Sequence, residues 1–170
     1  MAQVTSAMAA KYLKKLNERY DSMLKKESKA ARFTASLQEN IEEIRPEYSY
    51  ADTQRELRTL EEKIRVVRHA INLFNLTQTV PDFDMTIDQI LVYIPQLTAK
   101  KRKYDSMRGR LPKERNSSIM RNASIIEYDY CNYDIAEAEA DYNAVSDELA
   151  RAQNALDIVN STVMFEVDID

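Results

Sequence analysis

His69 and Cys131 are the only histidine and the only cysteine in the 170 residues, and Gly109 is the only glycine. Those three counts exclude most familiar chemistry. A zinc site draws on about four Cys, His or carboxylate ligands in close spacing, and a Ser or Cys nucleophile usually works beside a histidine base. Loops that wrap phosphates or dinucleotides need several residues at positive φ or in close approach to the ligand, which a single glycine cannot supply. A di-iron bundle site needs a Glu-x-x-His pair on each of two helices; here Val66 stands three residues before the lone His69. No cofactor or metal is expected, and the chain reads as non-enzymatic.

The polar residues that remain gather at the ends of predicted helices. His69, Asn72 and Asn75 are spaced by three and share a helix face adjoining Ile71 and Phe74, where they could meet a ligand or close a buried polar network. Asp88, Gln89 and Gln96 follow Thr86, and Thr86-Ile-Asp-Gln89 fits a capping box. Asn132 and Asp134 precede another helix, with Asp134 suited to its N-cap. Segment 100–121 holds nine basic residues against two acidic ones, net +7, while 127–170 holds twelve acidic residues against Arg151 alone, net −11. Arg108, Arg110, Lys113 and Arg115 could meet a small anionic or nucleotide-like ligand, or pair with the acidic half within or between copies. An acidic pI of about 5.2 and the lack of a base-reading module argue against a nucleic-acid partner.

These residues must be positioned by helices. Leu57, Leu60, Ile64, Val67, Ile71 and Phe74 step by 3,4,3,4,3, the seam of a helix packing at shallow angle. Ile135, Ala138, Tyr142, Val145, Leu149, Ala152, Leu156 and Val159 continue that alternation through a helix of about 38 Å. Ala9, Leu13, Leu16, Tyr20 and Met23 mark another, and Ile87, Ile90, Ile94, Leu97 and Tyr104 a fourth, with Pro95 predicting a kink near Leu91 if that helix continues.

Helices are therefore predicted over 6–29, 50–75, 86–108 and 134–159, with strands over 31–37, 76–80, 124–130 and 162–168 and a long loop over 110–123. The expected fold is mainly α: one domain over 1–170, an up-down four-helix antiparallel coiled-coil bundle with short strand ribbons at the helix ends. In that arrangement 31–37 would pair with 124–130, and 76–80 with 162–168. The longest strongly apolar run, Ile90–Ile94, is far short of the roughly 20 residues that span a bilayer, so no membrane partner is expected. The first ten residues lack the basic start and apolar stretch of a secretory signal, and a lone cysteine suits a reducing compartment; a cytoplasmic location is expected.

Five stretches carry a resemblance: Arg68-His-Ala-Ile-Asn-Leu-Phe-Asn75, Thr79-Val-Pro-Asp-Phe-Asp-Met-Thr-Ile-Asp-Gln89, Tyr93-Ile-Pro-Gln-Leu97, Arg110-Leu-Pro-Lys113 and Asn132-Tyr-Asp-Ile-Ala-Glu-Ala-Glu-Ala-Asp-Tyr142. With them the chain resembles, from about Ala31 to Phe165, a widespread family of small bacterial helical proteins to which no activity has been assigned. The resemblance supplies no catalytic residue or ligand to carry over. The functional expectation therefore rests on the residues: a self-associating helical interaction protein, a homo-oligomer or one with a protein partner, with a small anionic ligand as the alternative.

Overall fold

The computed structural model describes residues 1–116 and 126–168. The chain is mainly helical, and it divides into two compact units, Met1–Gln78 with Ile158–Asp170, and Thr79–Asp157.

In the first unit a short strand β1 (Ala2–Thr5) leads directly into α1 (Ser6–Ala30), where the Thr5 hydroxyl accepts from the Met8 amide and caps the helix. A connector holding one helical turn, α2 (Ile41–Ile44), joins it to α3 (Tyr50–Thr77). The predicted seams are the ones buried: Ala9 and Leu16 of α1 pack with Leu60 and Val67 of α3, and Val67 is fully enclosed. The helices run antiparallel, because Glu27 meets Gln54 while Tyr20 meets Glu61. Arg19 and Glu56 add an exposed ion pair.

β1 is closed by β6 (Met164–Val167), antiparallel, with Ala2 opposite Val167 and Val4 opposite Phe165. Alternation sends Val4 and Val167 into the α1–α3 core. Phe165 stacks on Phe74 of α3, ring centroids 4.4 Å apart.

The second unit opens with a tight hairpin, β2 (Thr79–Val80) and β3 (Met85–Thr86). Its turn places Asp82 and Asp84 at φ 68° and 47°, the left-handed region, which aspartate tolerates better than most residues with a side chain. The lone Gly109 instead ends a helix at φ −81°, so this chain makes its left-handed turn without glycine. α4 (Ile87–Arg108) starts on the predicted capping box and runs through Pro95. α5 (Ile135–Thr162), whose residues from Ile158 onward belong to the first unit, starts at Asp134, whose carboxylate accepts from the Ala136 amide at 2.8 Å. Leu97 packs with Leu149 and Ala152, flanked by Phe83, Tyr93, Ile94 and Val145. Tyr93 meets Glu148 while Lys101 meets Tyr142, so α4 and α5 are also antiparallel. The last ribbon joins β4 (Lys113–Arg115) to β5 (Tyr128–Tyr130).

Helix bounds agree with expectation to within a few residues, but the ribbons do not pair as expected. Segment 31–37 is no strand: Phe33 and Leu37 face solvent, leaving no buried face to hold one. Of 76–80 only Thr79 and Val80 form a strand, and they pair with a neighbour five residues on, since a short loop costs less chain entropy to close than a long one. The 162–168 segment pairs with an unanticipated N-terminal strand. Lys113–Arg115, expected in a loop, pairs with the 128–130 part of the predicted strand 124–130; 117–125 lies outside the described residues.

Three tyrosines tie elements together by donating to carboxylates: Tyr48 to Glu27 at 2.7 Å, Tyr20 to Glu61 at 3.0 Å and Tyr93 to Glu148 at 2.6 Å. Each hydrogen bond pushes its phenol up, Tyr48 to about 12. An unfolded tyrosine ionises near pH 10, so the folded chain holds these protons longer. Their stabilisation is therefore complete below pH ~10 and is lost as pH rises through each raised value, about 12 for Tyr48. In an ultraviolet phenolate titration one tyrosine should lag the rest, and Tyr48→Phe should delete that last step. An unchanged final step in the variant would disprove the assignment.

Candidate functional site

The twelve residues singled out from the sequence fall into both units. His69, Asn72 and Asn75 belong to the first and the other nine to the second.

In the second unit four of the nine, Gln89, Arg108, Lys113 and Asp134, make side-chain contacts within the chain. Gln89 accepts from the Thr86 amide at 2.8 Å, completing the cap, and Asp88 lies exposed in the same turn. Gln96 is exposed on α4. Arg108 forks onto Asp105 at 2.9 and 3.0 Å and lies 3.7 Å from the Tyr142 ring centroid. Lys113 sits over both Tyr128 and Tyr130, at 4.1 and 5.3 Å, and Arg115 stands opposite Tyr128 in the ribbon. In these contacts the basic segment meets aromatic faces of the acidic half, a cation–π arrangement. Asp134 caps α5.

Arg110 and Asn132 come together in a cavity of about 250 Å³ beside the ribbon, with Cys131 and Tyr133. Glu114 and Asp129 also line it, so an anion there would meet two carboxylates as well as one guanidinium. The Cys131 thiol donates to the Leu111 carbonyl at 3.2 Å, and the Tyr133 hydroxyl to that of Met107 at 2.8 Å. Burial, and after it the contact with Cys131, pushes the Tyr133 phenol up. Among the described residues no group of three or more His, Cys, Asp or Glu could hold a metal ion, and no helix is long and apolar enough to cross a membrane.

The first unit carries a larger concavity, about 620 Å³, between α3 and β6. Its apolar lining is Val66, Ala70, Leu73 and Phe74 from α3 with Phe165 from β6, and His69 is part of its polar lining with Arg65, Thr77 and Glu166. Asn72 and Asn75 do not line it. His69 and Asn72 are exposed and Asn75 half-buried, which rules out a buried network of the three. The concavity follows from a second seam on α3. Val66, Ala70, Leu73 and Thr77 step by 4,3,4, one face round from the seam that packs on α1. The first seam is filled, whereas Val66 and Leu73 stay 38% and 53% exposed. Sequence reasoning missed this groove although the spacing was legible, because a second apolar stripe becomes notable only once its lack of a covering element is known. Glu166 accepts from the Gln3 amide at 3.2 Å, whereas Arg65 and His69 have no hydrogen-bond or ion-pair partner among the described residues.

No family model and no curated protein matches the sequence. The chain is similar in fold to a solved structure, a functionally unknown conserved protein from Corynebacterium diphtheriae, with a TM-score of 0.58 at 16% identity, over 97% of this chain and 100% of that one. At that identity the likeness concerns the fold alone. The chain thus shares its architecture with a bacterial protein whose function is unknown, in keeping with the resemblance carried by its sequence.

Proposed function

We propose that this chain is a non-enzymatic interaction protein that associates with copies of itself, its long helices paired along 3,4 seams as an up-down coiled-coil framework. The observation that supports the reading is the apolar groove of α3 and β6, which leaves Val66 and Leu73 in water beside the filled seam of the same helix. Exposed apolar patches rimmed by polar groups mark protein contact surfaces and ligand grooves. The cavity shared by Arg110 and Asn132 supports a second reading, a small anionic ligand at the end of α4, and Glu114 and Asp129 in the same lining weigh against it.

Light scattering across a concentration series tests the first reading. The weight-average mass should rise above 19.7 kDa with concentration, and the rise should persist at high salt because apolar contact is not screened as charge pairs are. A strict monomer at millimolar concentration would overturn self-association and leave the cavity beside Arg110 as the reading to pursue.

A further inference from the structure

The connector between α1 and α3 leaves Phe33, Leu37, Ile41 and Ile44 exposed together, Leu37 completely so. Single exposed apolar residues are ordinary, but these four are spaced by 4, 4 and 3. At about 100° per residue they would fall within an arc of about 80° on one helix face. The segment nevertheless forms only one helical turn, Ile41–Ile44, because the stripe has nothing to pack against.

Its charge is complementary to the groove. Residues 33–44 carry Glu39, Glu42 and Glu43 and no cation, net −3, and on a helix all three would lie about 120–160° from the centre of the apolar stripe, on the face away from it. Residues 63–77 of α3 carry Lys63, Arg65 and Arg68 and no carboxylate, net +3, beside His69; Arg65 lines the groove itself together with Glu166 of β6, which lowers the surrounding charge to +2. The lengths match too. Phe33 to Ile44, once helical, and Val66 to Thr77 on α3 each span eleven steps, about 16 Å.

We infer that the groove of one copy receives the Phe33–Ile44 connector of a second copy, which lengthens its helix as it docks. Phe33, Leu37, Ile41 and Ile44 enter the apolar lining as anchors at helical spacing, and the glutamates, on the outward face, are attracted at longer range by Lys63, Arg65 and Arg68 without touching the lining. This inference rests on the self-association proposed above and names the element that makes the contact.

The test uses full-length chains in a Cys131→Ser background, one carrying Leu37→Cys and the other Leu73→Cys, mixed and treated with a short bismaleimide. Each chain holds one thiol, so every cross-link is between copies. In an equimolar mixture the mixed Leu37-to-Leu73 product should exceed the sum of the two homodimeric products, which is the level random pairing gives, and Leu37→Asp with Ile41→Asp should weaken association at least about 30-fold in dissociation constant. Association of that double variant at wild-type strength, or a mixed product no more abundant than the two homodimeric products together, would overturn the inference while leaving self-association standing. A wild-type chain that stays monomeric overturns both, and light scattering separates the cases.

Discussion

Leu97→Ala is expected to cost about 2–5 kcal/mol of folding stability, the range for truncating an enclosed leucine. Leu97 is 1% exposed and packs on Leu149 and Ala152 of α5, with Phe83, Tyr93, Ile94 and Val145 around it. Removing three carbons there leaves a void that the antiparallel pair cannot close without disturbing the Tyr93–Glu148 hydrogen bond between the same two helices. The opposite error is informative as well. Ala152 is fully enclosed against Leu97, so Ala152→Leu should cost about 1–3 kcal/mol by overpacking. Thermal unfolding checks both, at roughly 2–4 °C per kcal/mol for a chain of this size. A Leu97→Ala protein melting within a degree of wild type would show that α4 and α5 do not hold each other through this residue.

How much of this was legible in the sequence depends on the range of the interaction concerned. The seam Leu57, Leu60, Ile64, Val67, Ile71 and Phe74 is a local period, and each of its members is buried or packed against the core of its unit. The caps at Thr86 and Asp134 are local chemistry and are found where the side chains stand. Strand pairing is different. Ala2–Thr5 is a strand because Met164–Val167 lies beside it, a pairing across most of the chain that no short window can show. The stretch from Ala31 through Phe33 to Leu37 has only part of the composition of a strand, and it finds no partner strand among the described residues. Among the site residues, His69 does line a concavity, but its apolar neighbours Val66 and Leu73, not its polar neighbours Asn72 and Asn75, share that concavity. Sequence patterns offer polar residues as ligands and apolar ones as core, so an apolar stripe left in water falls between the two.

Leu73→Glu is expected to abolish most of the self-association while leaving the fold intact. Leu73 is 53% exposed, so its side chain contributes little to burial within the chain, and leucine and glutamate have similar helix propensities. The change in folding stability should therefore stay within about 0.5 kcal/mol, as for surface substitutions in general. In the groove the same change puts a carboxylate among Val66, Ala70, Phe74 and Phe165, where any docked apolar side chain would have to strip it of water. Loss of a central apolar anchor typically costs upward of about 2 kcal/mol of binding, so a dissociation constant raised on the order of 30-fold or more is expected. Leu91→Glu supplies the control, because Leu91 is 48% exposed on α4 and does not line the groove. If both variants weaken association equally, the effect is one of general surface hydrophobicity. If Leu73→Glu associates as the wild type does while melting at the same temperature, the α3–β6 groove is not the surface through which copies meet.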